Sequence, residues 1–96
     1  ATRMNPKVRK AEITKRLTEA FEPETLGVED ESHLHAGHEG AKDGRSHFRV
    51  LIISDEFADK TLIERHRMVY RVLDEMMRVD IHALAIDAWA PEELDR

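Results

Sequence analysis

Ninety-six residues, 41% of them hydrophobic and 36% charged, make a one-domain chain with the balance of a folded, water-soluble globule rather than a disordered tail. The formal charge of −5 works against general attraction to phosphate backbones, although a local basic stripe still has room to act. There is no cysteine, which excludes disulfides, a thiol nucleophile and thiolate ligands, and no apolar run approaches the roughly 20 residues needed to cross a bilayer.

Without the apolar core of a signal peptide at the N-terminus, the expected location is cytoplasmic and no membrane partner is expected. Asn5 followed by Pro6 predicts a helix start, because Asn caps free amides and Pro fits the first helical position. Ile13, Leu17, Ala20 and Phe21 then fall on one face, and Pro23 ends the run. Leu26 and Val28 alternate with more polar neighbours and predict a first strand running into the polar stretch from Glu29 to His35. From Ala36 to Arg45, three glycines and several charges predict a connection longer than a tight hairpin turn.

Phe48 to Ile53 is the clearest strand: Phe48, Val50 and Ile52 point one way, Arg49, Leu51 and Ile53 the other. After a turn from Ser54 to Asp59, Leu62, Val69, Leu73 and Met76 share one face of a long helix running to about Arg78. Ile81 to Ala88 predicts a last strand with His82, Leu84 and Ile86 on one side and Ala83 and Ala85 on the other. Trp89 is expected to cover the end of the sheet, and Pro91 to Glu93 to form a short terminal turn. The order predicts an α+β sandwich, αββαβ or αββααβ, with a three-stranded sheet and its helices on one face. Residues 1–96 are expected to be one domain, with an ordered core from about 6 to 90.

Six histidines are the most informative chemistry in the chain. His33, His35 and His38 lie in the polar connection, close enough in sequence to converge on zinc. No firm fourth ligand accompanies them, and the residues alone favour a solvated loop. Gly37-His-Glu-Gly40 matches the Gly-x-x-Gly pattern that clamps nucleic-acid backbone in KH domains, but it falls between predicted strands, where chance explains it better. Lys60, Arg65, His66, Arg67 and Arg71 form a basic cluster suited to phosphate or an acidic protein. It reads equally well as a solvated helical face, diluted by Glu64 and Asp74. His66 is read equally as a structural histidine at the core edge or as a ligand. His82, among apolar residues, is expected to be partly buried, and spacing alone favours a packing or capping role. No glycine-flanked nucleophile, phosphate loop or metalloprotease helix appears, so no enzyme activity is expected.

Asp30-Glu-Ser-His-Leu-His35, Ser46-His-Phe-Arg-Val50, Arg65-His-Arg-Met-Val-Tyr70 and Ile81-His-Ala-Leu84 occur in the order and approximate spacing of the BolA family, which the chain resembles from the first helix nearly to its end. The resemblance implies a class II KH-like fold. It also implies an adaptor that binds a monothiol glutaredoxin and shares a [2Fe-2S] cluster with it, in iron-sulfur trafficking or iron regulation. Sulfur would come from the glutaredoxin cysteine and glutathione, imidazole from this chain, and the isolated chain, expected to be a monomer, would hold no cluster. The family's ligands map to His82 and to the connection between the first two strands, where His35 matches best and His33 and His38 are rivals. Some family members are described as transcription regulators, so the segment from Lys60 to Arg71 carries an alternative, DNA binding. Asp59, where the family usually has Gly, weakens that alternative.

Overall fold

The computed structural model describes residues 5–31 and 46–94. The first helix, α1, spans Pro6–Phe21, and the Asn5 side chain caps it by accepting a hydrogen bond from the Val8 N–H at 3.0 Å. Its buried row is Arg9, Ile13, Leu17 and Phe21, each four residues from the last. Ala20, expected on the buried face, is exposed, because it lies on the flank of this narrow row. The helix stops at Glu22, whose backbone turns left-handed (φ 42°, ψ 55°) and returns its N–H to the Thr18 carbonyl.

Three strands follow in sheet order β1 (Thr25–Asp30), β2 (Ser46–Ile53) and β3 (Ile81–Trp89). β1 and β2 are antiparallel, whereas β2 and β3 are parallel. A parallel neighbour requires a crossover, and α2 (Leu62–Val72) and α3 (Asp74–Val79) supply it. Thr61 and Glu64 start α2 with a reciprocal capping box, each side chain accepting from the other residue's backbone N–H. The expected single helix is therefore two, divided at Leu73 (φ −101°, ψ 11°). Leu62, expected in the core, is 68% exposed, because the inward row of the crossover is Arg65, Val69, Leu73 and Met76.

The helices pack on one face of the sheet, where Phe48, Val50 and Ile52 of β2 meet Ile13, Leu17, Val69 and Leu73 with almost no residual exposure. His47, Arg49, Leu51 and Ile53 lie on the other face, which none of the described helices covers. Trp89 belongs to that open face and is 37% exposed, its indole N–H donating to Asp87 at 2.9 Å. It does not close the sheet as expected, because the β3 pleat turns Ala88 and Ala90 inward instead.

Ser54 ties one end of the sheet together: its hydroxyl donates to the Phe21 carbonyl at 2.6 Å and its N–H to the Trp89 carbonyl at 3.0 Å. The outer edge of β3 is partly capped, since the Leu84 carbonyl accepts from Tyr70 Oη at 3.2 Å and the Ala88 carbonyl from Arg65 at 3.0 Å. Among the described residues no helix is long and apolar enough to cross a membrane.

Among the described residues, Glu22 and Asp59 are the non-glycine residues with positive φ, 42° and 62°. Asp59 thus occupies the left-handed conformation that Gly adopts freely and that Asp tolerates better than most side chains. Glu22 has no such tolerance. Glu22→Gly should stabilise the chain by about 0.5–1 kcal/mol, the left-handed penalty less the greater entropy of an unfolded Gly, read as a higher urea midpoint at unchanged slope.

Candidate functional site

The register between β2 and β3 begins Ser46↔Ile81 and continues His47↔Ala83, so His82 is an extra residue in β3. This bulge inverts the inward-outward alternation: Ile81 and Leu84, three residues apart, both reach the core. His82 is therefore exposed, not partly buried beside Leu84 and Ile86 as a strict period of two predicts. Its ring lies against His47 of the neighbouring strand, with centroids 5.0 Å apart and planes tilted by 45°.

His47 is half-buried on the open face of β2. Its carbonyl accepts the Glu31 N–H at 2.8 Å, and the Glu31 carboxylate in turn accepts from Arg49 Nε at 3.1 Å. Glu31, His47, Arg49, Ala83 and Ala85 line a depression of about 260 Å³ there.

Beneath this surface sits a buried polar cluster. Arg9 of α1 donates through Nη1 to Ser46 Oγ at 2.6 Å and lies with Nε 3.6 Å from Asp80 Oδ1, while the Ser46 N–H donates to the Asp80 carbonyl at 3.1 Å. All three residues are 3–6% exposed. Ser46 immediately precedes His47, and Asp80 lies two residues before His82, so one guanidinium clamps both strands where the bulge forms.

Residues 32–45 leave the described chain after Glu31 and rejoin it at Ser46, and both anchors are at this same end of the sheet. His33, His35, His38 and the Gly37 to Gly40 motif lie outside the described residues. Among those described, no group of three or more metal-ligating side chains converges.

The basic cluster divides. Lys60, Arg67 and Arg71 are exposed and His66 is half-buried. Arg65 is not available to a partner, contrary to the sequence expectation. It is 4% exposed, donating to the Lys60 and Ala88 carbonyls at 3.0 Å and gripping both Glu93 carboxylate oxygens at 2.6 and 3.1 Å. It takes this position because it falls on the inward row of α2.

Sequence reasoning gave neither Arg9 nor His47 a functional role. Arg9 lies on the apolar row of α1, four residues before Ile13. His47 lies two before Arg49 on the polar side of β2, and this parity puts it on the open face.

The family profile described as BolA-like protein matches residues 17–93. The chain is 37% identical over 81 residues to the DNA-binding transcriptional regulator BolA of Haemophilus influenzae, covering 84% of this chain and 76% of that protein. It is 39% identical over 87 residues to SufE-like protein 1, chloroplastic/mitochondrial, of Arabidopsis thaliana, covering 85% of this chain but spanning only 24% of that longer protein. The solved BolA domain of SufE1 from Arabidopsis thaliana superposes with a TM-score of 0.81 at 40% identity, over 90% of this chain and 95% of that domain.

The bidentate bond from Arg65, reinforced by the Ala90 N–H, holds the Glu93 carboxyl below its ordinary pKa of 4.5. Folding thus favours the ionised form. The resulting stability is complete above that ordinary value and is lost as pH falls below it, through the lower folded value. Glu93→Gln should therefore reduce the loss of stability on acidification below pH 4.5, measured by urea unfolding at a series of pH values. Arg9→Met should destabilise by about 3–5 kcal/mol by the same measurement, because it strips the buried Asp80 of its guanidinium.

Proposed function

Because this chain belongs to the BolA-like protein family, we propose that it is a non-enzymatic adaptor that binds a monothiol glutaredoxin and shares a [2Fe-2S] cluster with it, in iron-sulfur trafficking or iron regulation. The observation that carries this reading is His82, an exposed imidazole on a bulge beside the two anchors of the histidine-containing segment. Sequence connectivity alone keeps His35 within about 14 Å of Glu31, four residues of fully extended chain. The donor chemistry fits the group: imidazole is a known cluster ligand, and a chain without cysteine leaves the sulfur positions to its partner. His82 and one of His35, His33 or His38 would hold iron from this side, the glutaredoxin cysteine and glutathione from the other. When bound, the cluster supplies electron-transfer or iron-delivery chemistry. The isolated chain would remain a clusterless monomer, and cytoplasmic residence belongs to the same proposal.

DNA binding is the second reading, favoured by the description of the Haemophilus influenzae relative as a DNA-binding transcriptional regulator. With Arg65 buried, it rests on Lys60, Arg67, Arg71 and the half-buried His66, beside acidic Asp59 and Glu64.

Coexpression with a monothiol glutaredoxin separates the two. On the adaptor reading, the complex has a cluster absorption and circular-dichroism spectrum that His82→Ala changes strongly, His35→Ala changes less, and Arg67→Ala leaves alone. Unchanged spectra in both histidine variants would remove the ligand assignment. On the DNA reading, duplex affinity falls steeply between two salt concentrations, and Arg67→Ala or Arg71→Ala lowers the salt slope by about 1.

A further inference from the structure

We propose that His47 and His82 together form a two-imidazole site for a borderline divalent metal ion, with zinc as the probe, which the chain binds without any partner. Two imidazole nitrogens on one zinc ion, at about 2.0–2.1 Å and a roughly tetrahedral angle, hold their ring centres about 5 Å apart. The observed separation is 5.0 Å. The rings come from adjacent strands whose backbones are fixed by the Arg9, Ser46 and Asp80 cluster, so little conformational freedom remains to be lost on binding.

The bulge is what creates this proximity. Carried back unbroken from Phe48↔Leu84, the register would pair His82 with the buried Ser46, on the core-facing side. The extra residue instead pairs Ser46 with Ile81 and leaves His82 exposed against the His47 ring. Imidazole suits zinc, copper and nickel and disfavours magnesium and calcium, which sets the class of ion. No third ligating side chain converges among the described residues, so the remaining coordination positions fall to water or to a donor brought by another molecule. Such an open site binds metal more weakly than a closed structural one. The site does not depend on the cluster reading, but it uses His82, so zinc and a shared cluster would exclude one another.

The test is zinc titration of the full chain by competition with a chromogenic chelator, together with nitrogen-15 spectra of the histidine rings. The background is His33→Ala/His35→Ala/His38→Ala, which removes the donors of residues 32–45. This background should still bind one equivalent, and the His47 and His82 ring signals should shift together. Outer-shell changes alone cost about 10–100-fold in metal affinity, so adding His47→Ala or His82→Ala should each weaken binding at least roughly tenfold. His82 is exposed and His47 half-buried, with its Nε2 buried, and far-ultraviolet circular dichroism checks that the variants fold.

No zinc binding in the triple variant, or binding that survives both added substitutions, would overturn the proposal. Cluster spectra of His47→Ala with glutaredoxin separate the two readings. A variant that loses zinc but retains the cluster supports the pair and leaves the adaptor reading intact. Failure of glutaredoxin to form any cluster while zinc binding persists sinks only the adaptor reading.

Discussion

One guanidinium governs the end of the sheet that carries His47 and His82. Arg9 reaches from the first helix into a buried space between the beginnings of β2 and β3, donating to Ser46 and pairing with Asp80. A buried ion pair gives little net stability over apolar residues of the same volume, but breaking one is costly, and such groups impose a particular arrangement. Here the arrangement is the alignment of Ser46 with Ile81, after which the strands slip by one residue. The slip exposes His82 and brings its ring against His47. The orientation of His82 thus depends on contacts made by Arg9, more than seventy positions earlier in the chain.

The two arginines buried among the described residues play parallel parts at the two ends of the sheet. Arg9 closes the end that carries the histidines. Arg65 closes the other, joining the start of α2 to the last residues of β3 and to Glu93 beyond it. Each satisfies carbonyl or hydroxyl groups that would otherwise be buried without partners, as well as neutralising a carboxylate. The charge count of the sequence therefore overstates what the surface offers to phosphate. The exposed cations of the second helix are fewer than its motif suggests, and acidic side chains surround them. An exposed imidazole beside a depression is a more distinctive surface feature than this diluted basic face.

Much of the architecture was legible because periodicity reports burial directly. Asn5 and Pro6 marked the first helix, Phe48, Val50 and Ile52 the inward face of the central strand, and the order of elements the α+β sandwich. What escaped was whatever breaks a period. A bulge adds one residue without a compositional mark, so the phase inferred from Leu84 and Ile86 put His82 on the wrong side of its pleat. A charged residue on an apolar row reads as solvent-facing, which hid the inward direction of Arg65 and gave its place to Leu62. The His47 and His82 pair was beyond pattern reasoning altogether, since parallel register between strands separated by two helices is decided by packing and not by local sequence.

The central claim is that this fold presents an imidazole, on a bulge, as an iron ligand to a partner that brings the sulfur. Pulsed electron paramagnetic resonance on the reduced cluster, with histidine nitrogen-15 introduced into this chain alone and unlabelled glutaredoxin as partner, addresses it most directly. The account predicts a strong nitrogen-15 coupling typical of imidazole bound directly to iron. An intact cluster with no histidine nitrogen coupled to it would contradict the account.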